Sequence, residues 1–144
     1  MKLIIINGPN LNLLGTREPN LYGSSTFETY FNSLESTYKS MAELEYYQSN
    51  VEGEIINKLH EINKKISTKI DGIILNAGGY THTSVAIADA IAAIDVKVVE
   101  VHISNIFARE EYRHISFMSK NCVGTITGFG LKSYDLAIDY FLKK

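Results

Sequence analysis

The sequence predicts an α/β fold: a doubly wound, five-stranded parallel sheet with helices on both faces. Two observations predict it. Short, almost wholly apolar runs recur along the chain, and stretches of helical periodicity fill the gaps between them. The first run, residues 2–6, stops at Asn7-Gly8-Pro9-Asn10, a strand closed by turn residues. The others are Leu44 to Gln48, Ile73-Ile74-Leu75, Val96 to Val101 and Cys122 to Thr127. Phe27, Phe31, Leu34, Tyr38 and Met41 form one helical stripe, and Ile55, Leu59, Ile62 and Ile66 a second. Val85, Ala88, Ile91 and Ala92 form a third, and Tyr134, Ala137, Ile138 and Phe141 a fourth. Strand and helix alternating about five times, with right-handed crossovers, lead to the flavodoxin-like order 2-1-3-4-5. No linker, repeat or low-complexity tract interrupts the pattern, so residues 1–144 read as one domain.

Composition narrows the function. A chain of 144 residues, 45% hydrophobic and 21% charged, is an ordinary globular domain with room for one core. Its formal net charge of −2 argues against a nucleic-acid partner, which calls for a basic face. No apolar run reaches the roughly 18 residues of a membrane span. The apolar stretch at the N-terminus is too short to predict a secretory signal. The single cysteine, Cys122, forms no internal disulfide and fits a reducing compartment, so a cytoplasmic protein is expected. Cys122 falls in a predicted strand and reads as core rather than nucleophile.

In this fold, ligands bind beyond the carboxyl ends of the strands. Polar residues collect there: Asn10 after the first strand, Asn76 through His82 after the third, and His102 through Asn105 after the fourth. The connection from about residue 11 to 25 exceeds the usual two to six or so residues and carries Gly15, Arg17, Glu18, Tyr22 and Gly23. A lid with glycine hinges is one reading, and a surface insertion is the other. Glu100 and His102 are two apart on an apolar strand and therefore share a face. A carboxylate beside an imidazole fixes its tautomer and raises its basicity, although a purely structural pair remains open. Asn76, Gly78 and Gly79 allow close backbone approach to a ligand, or simply turn a strand into a helix. His82 at the start of that helix reads equally as solvent-facing.

Arg109 and Arg113 are four apart and are expected to share one face of a helical turn. Glu110 and Glu111 beside them suggest a surface ion-pair cluster. Yet the chain has 11 lysines and three arginines among its 14 basic residues. Arginine is selected where forked hydrogen bonds to oxygen are needed, which tilts at least one of the two toward a substrate or interface. Asp89 gains no role from its surroundings. No phosphate-binding loop or dinucleotide fingerprint occurs, so no nucleotide is expected; zinc-type histidine spacing is lacking, so zinc is not expected, and there is no serine nucleophile elbow.

Long ordered motifs run through these positions. Asn7-Gly8-Pro9-Asn10-Leu11-Asn12-Leu13-Leu14-Gly15, Arg17-Glu18-Pro19 and Tyr22-Gly23 resemble the opening of type II dehydroquinases. So do Gln48-Ser49-Asn50, Glu52-Gly53-Glu54 and Tyr80-Thr81-His82-Thr83-Ser84, and so do Val99 through Asn105 and Ala108 through His114. The resemblance covers the chain from Lys2 to the C-terminal helix. Ala77 and Gly79 depart from the family's frequent proline and alanine.

The resemblance implies a lyase that dehydrates 3-dehydroquinate to 3-dehydroshikimate by anti elimination through an enolate, without metal or cofactor. It implies Tyr22, as tyrosinate, for the base, with Arg17 the cation that lowers its pKa. Asn10 serves the enolate oxygen, and His102, oriented by Glu100, is the acid. Ile103 and Ser104 take the substrate carboxylate, and Asn76, His82 and Arg113 read ring hydroxyls. Asp89 reaches across from a neighbouring subunit to help position Arg17, and trimers stack into a homododecamer. A non-catalytic flavodoxin-like module binding a small anion or a partner is the alternative, because fold alone does not dictate function. A flavin or nucleotide carrier is a more distant one.

Overall fold

The computed structural model describes residues 1–16, 25–64 and 69–143. Five parallel strands form the sheet: β1 (Lys2–Asn7), β2 (Glu43–Gln48), β3 (Gly72–Asn76), β4 (Val98–His102) and β5 (Gly124–Thr127). Their order is β2-β1-β3-β4-β5, as the sequence predicts. Four helices accompany them: α1 (Phe27–Tyr38), α2 (Glu52–Lys64), α3 (Val85–Ala92) and α4 (Lys132–Leu142).

Alternation along the strands sorts the core into two layers. Leu3, Ile5, Ile74, Val99 and Val101 face Phe27, Leu34 and Tyr38 of α1 and Tyr134, Ala137, Ile138 and Phe141 of α4. Ile4, Ile6, Ile73, Leu75 and Val98 face Ile55, Leu59 and Ile62 of α2 and Ile87, Ala88, Ala90 and Ile91 of α3. The central strands β1, β3 and β4 are buried almost throughout, whereas the edge strands β2 and β5 are partly open.

Local chemistry sets the helix starts. The Thr26 side chain accepts from the Thr29 amide at 3.2 Å, and the Ser84 hydroxyl accepts from the Ile87 amide at 2.9 Å, each supplying a cap. Glu52 and Glu54 occupy the first turn of α2, where the helix dipole favours negative charge.

Three expectations need correction. Between β4 and β5 the chain makes no α-helix but three 3-10 turns, Ile106–Ala108, Glu111–Arg113 and Ser119–Asn121. Residues 103–121 carry no apolar stripe of helical period, so nothing there would bury a full helix face. Arg109 and Arg113 consequently belong to two separate turns rather than one helical face. Cys122 precedes β5 because its amide closes the last 3-10 turn on Ser119 O at 3.1 Å. Burial pushes its thiol pKa up to about 12, which keeps it an inert neutral thiol.

The loops after β1 and β3 press together. A Cβ added to Gly8 would lie 2.4 Å from the Ala77 carbonyl oxygen, and Gly78, at φ +58°, packs against Pro9 O. Only glycine at residue 8 permits that approach. Gly8→Ala is therefore expected to lower stability by about 1–3 kcal/mol through overpacking, seen as a lower denaturant midpoint with unchanged slope.

Candidate active site

The strand ends that the fold aligns open into one cleft. Its lining includes Asn10 after β1, Asn76, Gly78, Gly79 and His82 after β3, and His102, Ile103, Ser104, Arg109 and Arg113 after β4. Sequence reasoning singled out each of these positions, and the fold brings them together. Arg17 and Tyr22 lie outside the described residues. Before them, Leu11 and Leu14 are buried and Leu11–Leu13 forms a 3-10 turn, so the long connection begins anchored to the core.

Glu100 and His102 project from the β4 face that α2 and α3 cover. Glu100 is fully buried. Its Oε1 accepts from His102 Nε2 at 2.8 Å and from the Ser116 hydroxyl at 2.7 Å, and its Oε2 accepts from Thr125 at 3.1 Å. Burial alone would raise its pKa, but the donors from His102, Ser116 and Thr125 outweigh it and hold the carboxyl below its ordinary value. An ionised carboxylate only accepts, so the neutral imidazole carries its proton on Nε2 and keeps Nδ1 as an acceptor.

A second imidazole faces the first. The His82 and His102 rings stack with centroids 6.3 Å apart and planes 20° from parallel. His82 Nδ1 donates to the Ile115 carbonyl at 2.7 Å, which leaves Nε2 for a ligand. Burial, joined by the charges of His102 and Arg113, lowers its pKa and favours this neutral tautomer. His82 is half-buried and cleft-lining rather than solvent-facing.

The turn after β4 has its acceptors committed. The His102 carbonyl accepts from the Gly128 amide at 3.3 Å and the Ser133 hydroxyl at 3.1 Å, and Ile103 O accepts from the Gly130 amide at 2.9 Å. Ser104 O accepts from the Thr127 hydroxyl at 2.9 Å. A turn whose carbonyls are bound elsewhere suits an anion at its N–H side. Beside it, Arg113 Nε donates to Glu110 at 2.8 Å, and Arg109 Nε lies 3.7 Å from the same carboxylate. The ion-pair reading of these arginines holds, and both also line the cleft.

Across the cleft, Asn10 adopts a left-handed backbone at φ 69° and donates its amide N–H to Asn50 Oδ1 at 3.0 Å. Gln48 secures the same corner through Gly8 O and Asn50 Oδ1. Asp89 is exposed on α3 and stands outside the cleft of its own chain, on a hollow with Ser116, Phe117 and Lys120.

Sequence reasoning missed Ser116 and Thr125, which complete the Glu100 shell, and Asn7 and Tyr134, which stand behind Asn76. Thr125 was recoverable, since parallel pairing of β4 with β5 sets it level with Glu100. Ser116 lies in an irregular crossover, where no period points to it.

Fold and cleft define an α/β protein of the flavodoxin-like class with a polar cleft at its strand ends. The family model described as "Dehydroquinase class II" matches residues 1–142. A 3-dehydroquinate dehydratase from Caldicellulosiruptor bescii is 51% identical, with 99% of this chain and 97% of that protein covered. The catabolic 3-dehydroquinase 1 of Fusarium vanettenii is 49% identical over 98% of this chain and 96% of its own length. The crystal structure of a type II dehydroquinase from Butyrivibrio crossotus superposes with a TM-score of 0.93 at 50% identity, covering 98% of this chain and 97% of that one. The chain belongs to the class II dehydroquinase family, whose members are lyases.

Replacing Glu100 by Gln retains the shape and removes the charge-assisted acceptor. The folded carboxyl titrates below its unfolded value, so its contribution is complete above about pH 4.5 and is lost as pH falls through the folded pKa. Glu100→Gln is expected to cost about 1.5–3 kcal/mol at pH 7, with the deficit shrinking below pH 4 or so, in urea titrations at both pH values.

Proposed function

We propose that the chain dehydrates 3-dehydroquinate to 3-dehydroshikimate by anti elimination through an enolate, in the shikimate route. One observation carries the reading: an imidazole that lines the cleft while its Nε2 is held by a buried carboxylate.

The C2 proton of the substrate is acidified by the neighbouring ketone, and Tyr22 as tyrosinate removes it. Arg17 is the cation that makes this base available. A phenol titrates near 10, and lowering it by roughly three units takes about 4 kcal/mol of preferential stabilisation of the anion. Support for both roles is the family resemblance and this chemistry. Asn10 steadies the enolate oxygen directly or through an ordered water.

The enolate then collapses to the C1–C2 double bond as the C1–O bond breaks. His102, as the imidazolium, gives its Nδ1 proton to the departing hydroxyl, which leaves as water. Glu100 stabilises that imidazolium from behind. The N–H groups of Ile103 and Ser104, with the Ser104 hydroxyl, hold the substrate carboxylate. Asn76, Arg113 and the neutral His82 read the ring hydroxyls, His82 as acceptor through Nε2. A lid at about residues 11–25 closes over the substrate and excludes water.

Asp89, exposed and outside its own cleft, is available to position Arg17 of a neighbouring subunit. Trimers stacked into a homododecamer, working in the cytoplasm, complete the reading.

Mixing the protein with 3-dehydroquinate is expected to raise ultraviolet absorbance as the conjugated enone forms. Tyr22→Phe should lower kcat about 10²–10⁴-fold while binding of a substrate-like carboxylate survives. A near-normal kcat in that variant removes the proposed base. No lysine lines the described part of the cleft. Borohydride added during turnover should leave the protein mass unchanged, and a reduced covalent adduct would contradict the enolate route.

A further inference from the structure

Behind the cleft, on the α1 and α4 side of the sheet, runs a buried polar chain that the elimination does not use. Asn7 and Asn76 stand level on β1 and β3, at the carboxyl ends of both strands. The Tyr134 hydroxyl, fully buried on the first turn of α4, lies between them. It donates to Asn7 Oδ1 at 2.9 Å and accepts from Asn76 Nδ2 at 2.9 Å. Asn76 Oδ1 in turn accepts from the Gly78 amide at 3.2 Å.

Each link allows one direction only. The Gly78 N–H can only donate, which fixes the Asn76 oxygen toward it and the Asn76 nitrogen toward Tyr134. The phenol oxygen therefore accepts from Asn76 and spends its single hydrogen on Asn7. Burial pushes the Tyr134 pKa above the ordinary phenol value, so that hydrogen stays in place throughout the working pH range. Turning the Asn76 amide over would set its Nδ2 donors against the Gly78 N–H, and that opposition excludes the flip. The far end of the chain is less well served. Asn7 Nδ2 and the Tyr46 hydroxyl are buried beside one another there, close enough to interact but without a hydrogen bond of full geometry. The direction of the chain is thus dictated from the cleft end.

We infer that Tyr134 is a positioning residue for substrate recognition: its buried hydroxyl locks the Asn76 amide so that the remaining Nδ2 hydrogen is presented to a ring oxygen of the substrate. The inference rests on Asn76 reading a ring hydroxyl. Because Asn76 contacts the substrate before and during the reaction, Tyr134 acts on KM rather than on proton transfer.

Tyr134→Phe keeps the ring and removes the hydroxyl. It is expected to raise KM for 3-dehydroquinate about tenfold, with kcat within about twofold and the pH profile of kcat unchanged. In an Asn76→Ala background the same substitution should change KM no further. An unchanged KM in Tyr134→Phe, or an equal effect with and without Asn76, overturns the inference.

Should Tyr134→Phe not fold, the wild-type protein carries the test by hydrogen exchange at the Asn76 side chain. A readout independent of turnover separates this inference from the dehydratase reading. The Asn76 side-chain N–H pair should show one exchange-protected proton in wild type and none in Tyr134→Phe by NMR. If 3-dehydroquinate is not turned over but that protection is present and lost as stated, the dehydratase reading fails and the Tyr134 lock stands. If protection is absent in wild type, the lock itself is disproved.

Discussion

A carboxylate sealed inside an apolar strand has to be surrounded by donors, and that requirement organises the end of β4. Glu100 has no exposure to water, and leaving such a charge unpaired would cost several kcal/mol. Its three donors come from three places: His102 on the same strand, Ser116 in the crossover, and Thr125 on β5. Ser116 also accepts from the Met118 and Ser119 amides, both at 3.1 Å, so the hydroxyl that serves Glu100 also builds the turn around it. The irregular crossover is therefore the route that delivers a donor to a buried charge while carrying Arg109 and Arg113 to the rim. In satisfying Glu100 the fold also decides which nitrogen of the neutral imidazole carries the proton.

The other wall of the cleft depends on backbone contact rather than charge. Gly8 against Ala77, and Pro9 against Gly78, bring the β1 and β3 loops to a separation that side chains would prevent. That approach sets Asn10 and Asn76 on a common wall. Underneath, the Tyr134 ring packs edge-on against Phe27 with centroids 5.0 Å apart, so aromatic burial by α1 and α4 holds the hydroxyl between the two asparagines. Helix packing and site geometry are here one arrangement. The hydrophobic layer places the phenol, and the phenol places the amide.

Much of this was legible in the sequence, for physical reasons that can be named. Parallel strands buried on both faces read as apolar runs, and Leu3 to Ile6 and Ile73 to Leu75 are such runs. Edge strands are less plain, and Cys122 was assigned to β5 because an apolar residue before a strand looks like part of it. Glu100 and His102 were legible because a charge in an apolar run demands a partner. Tyr134 was not, because at helical spacing a buried tyrosine cannot be told from any other core aromatic until its hydroxyl is seen to bridge two strands. Asn7 was taken for a turn residue for a similar reason, since asparagine after an apolar run ends strands far more often than it lies under a site. The β4–β5 crossover was beyond reach. Its conformation follows from tertiary hydrogen bonds such as His82 to Ile115 and Phe117 to Thr81, not from any local period.

Charge is sorted across the cleft, and the sorting explains why an anion suits it. Glu100 lies behind His102 and spends both oxygens on protein donors, so the surface it leaves at the cleft is imidazole rather than carboxylate. Glu110 pairs with both arginines, yet it stands half open to solvent at the rim. A solvated carboxylate orients a guanidinium at little energetic cost and is screened by water on its far side. The arginine face turned toward the less hydrated cleft keeps more of its field, since a unit charge pair about 4 Å apart is worth roughly 4 kcal/mol at an effective dielectric of 20 against about 1 in water. One acid is buried and satisfied and the other is exposed and screened, so the described wall of the cleft stays suited to an anion.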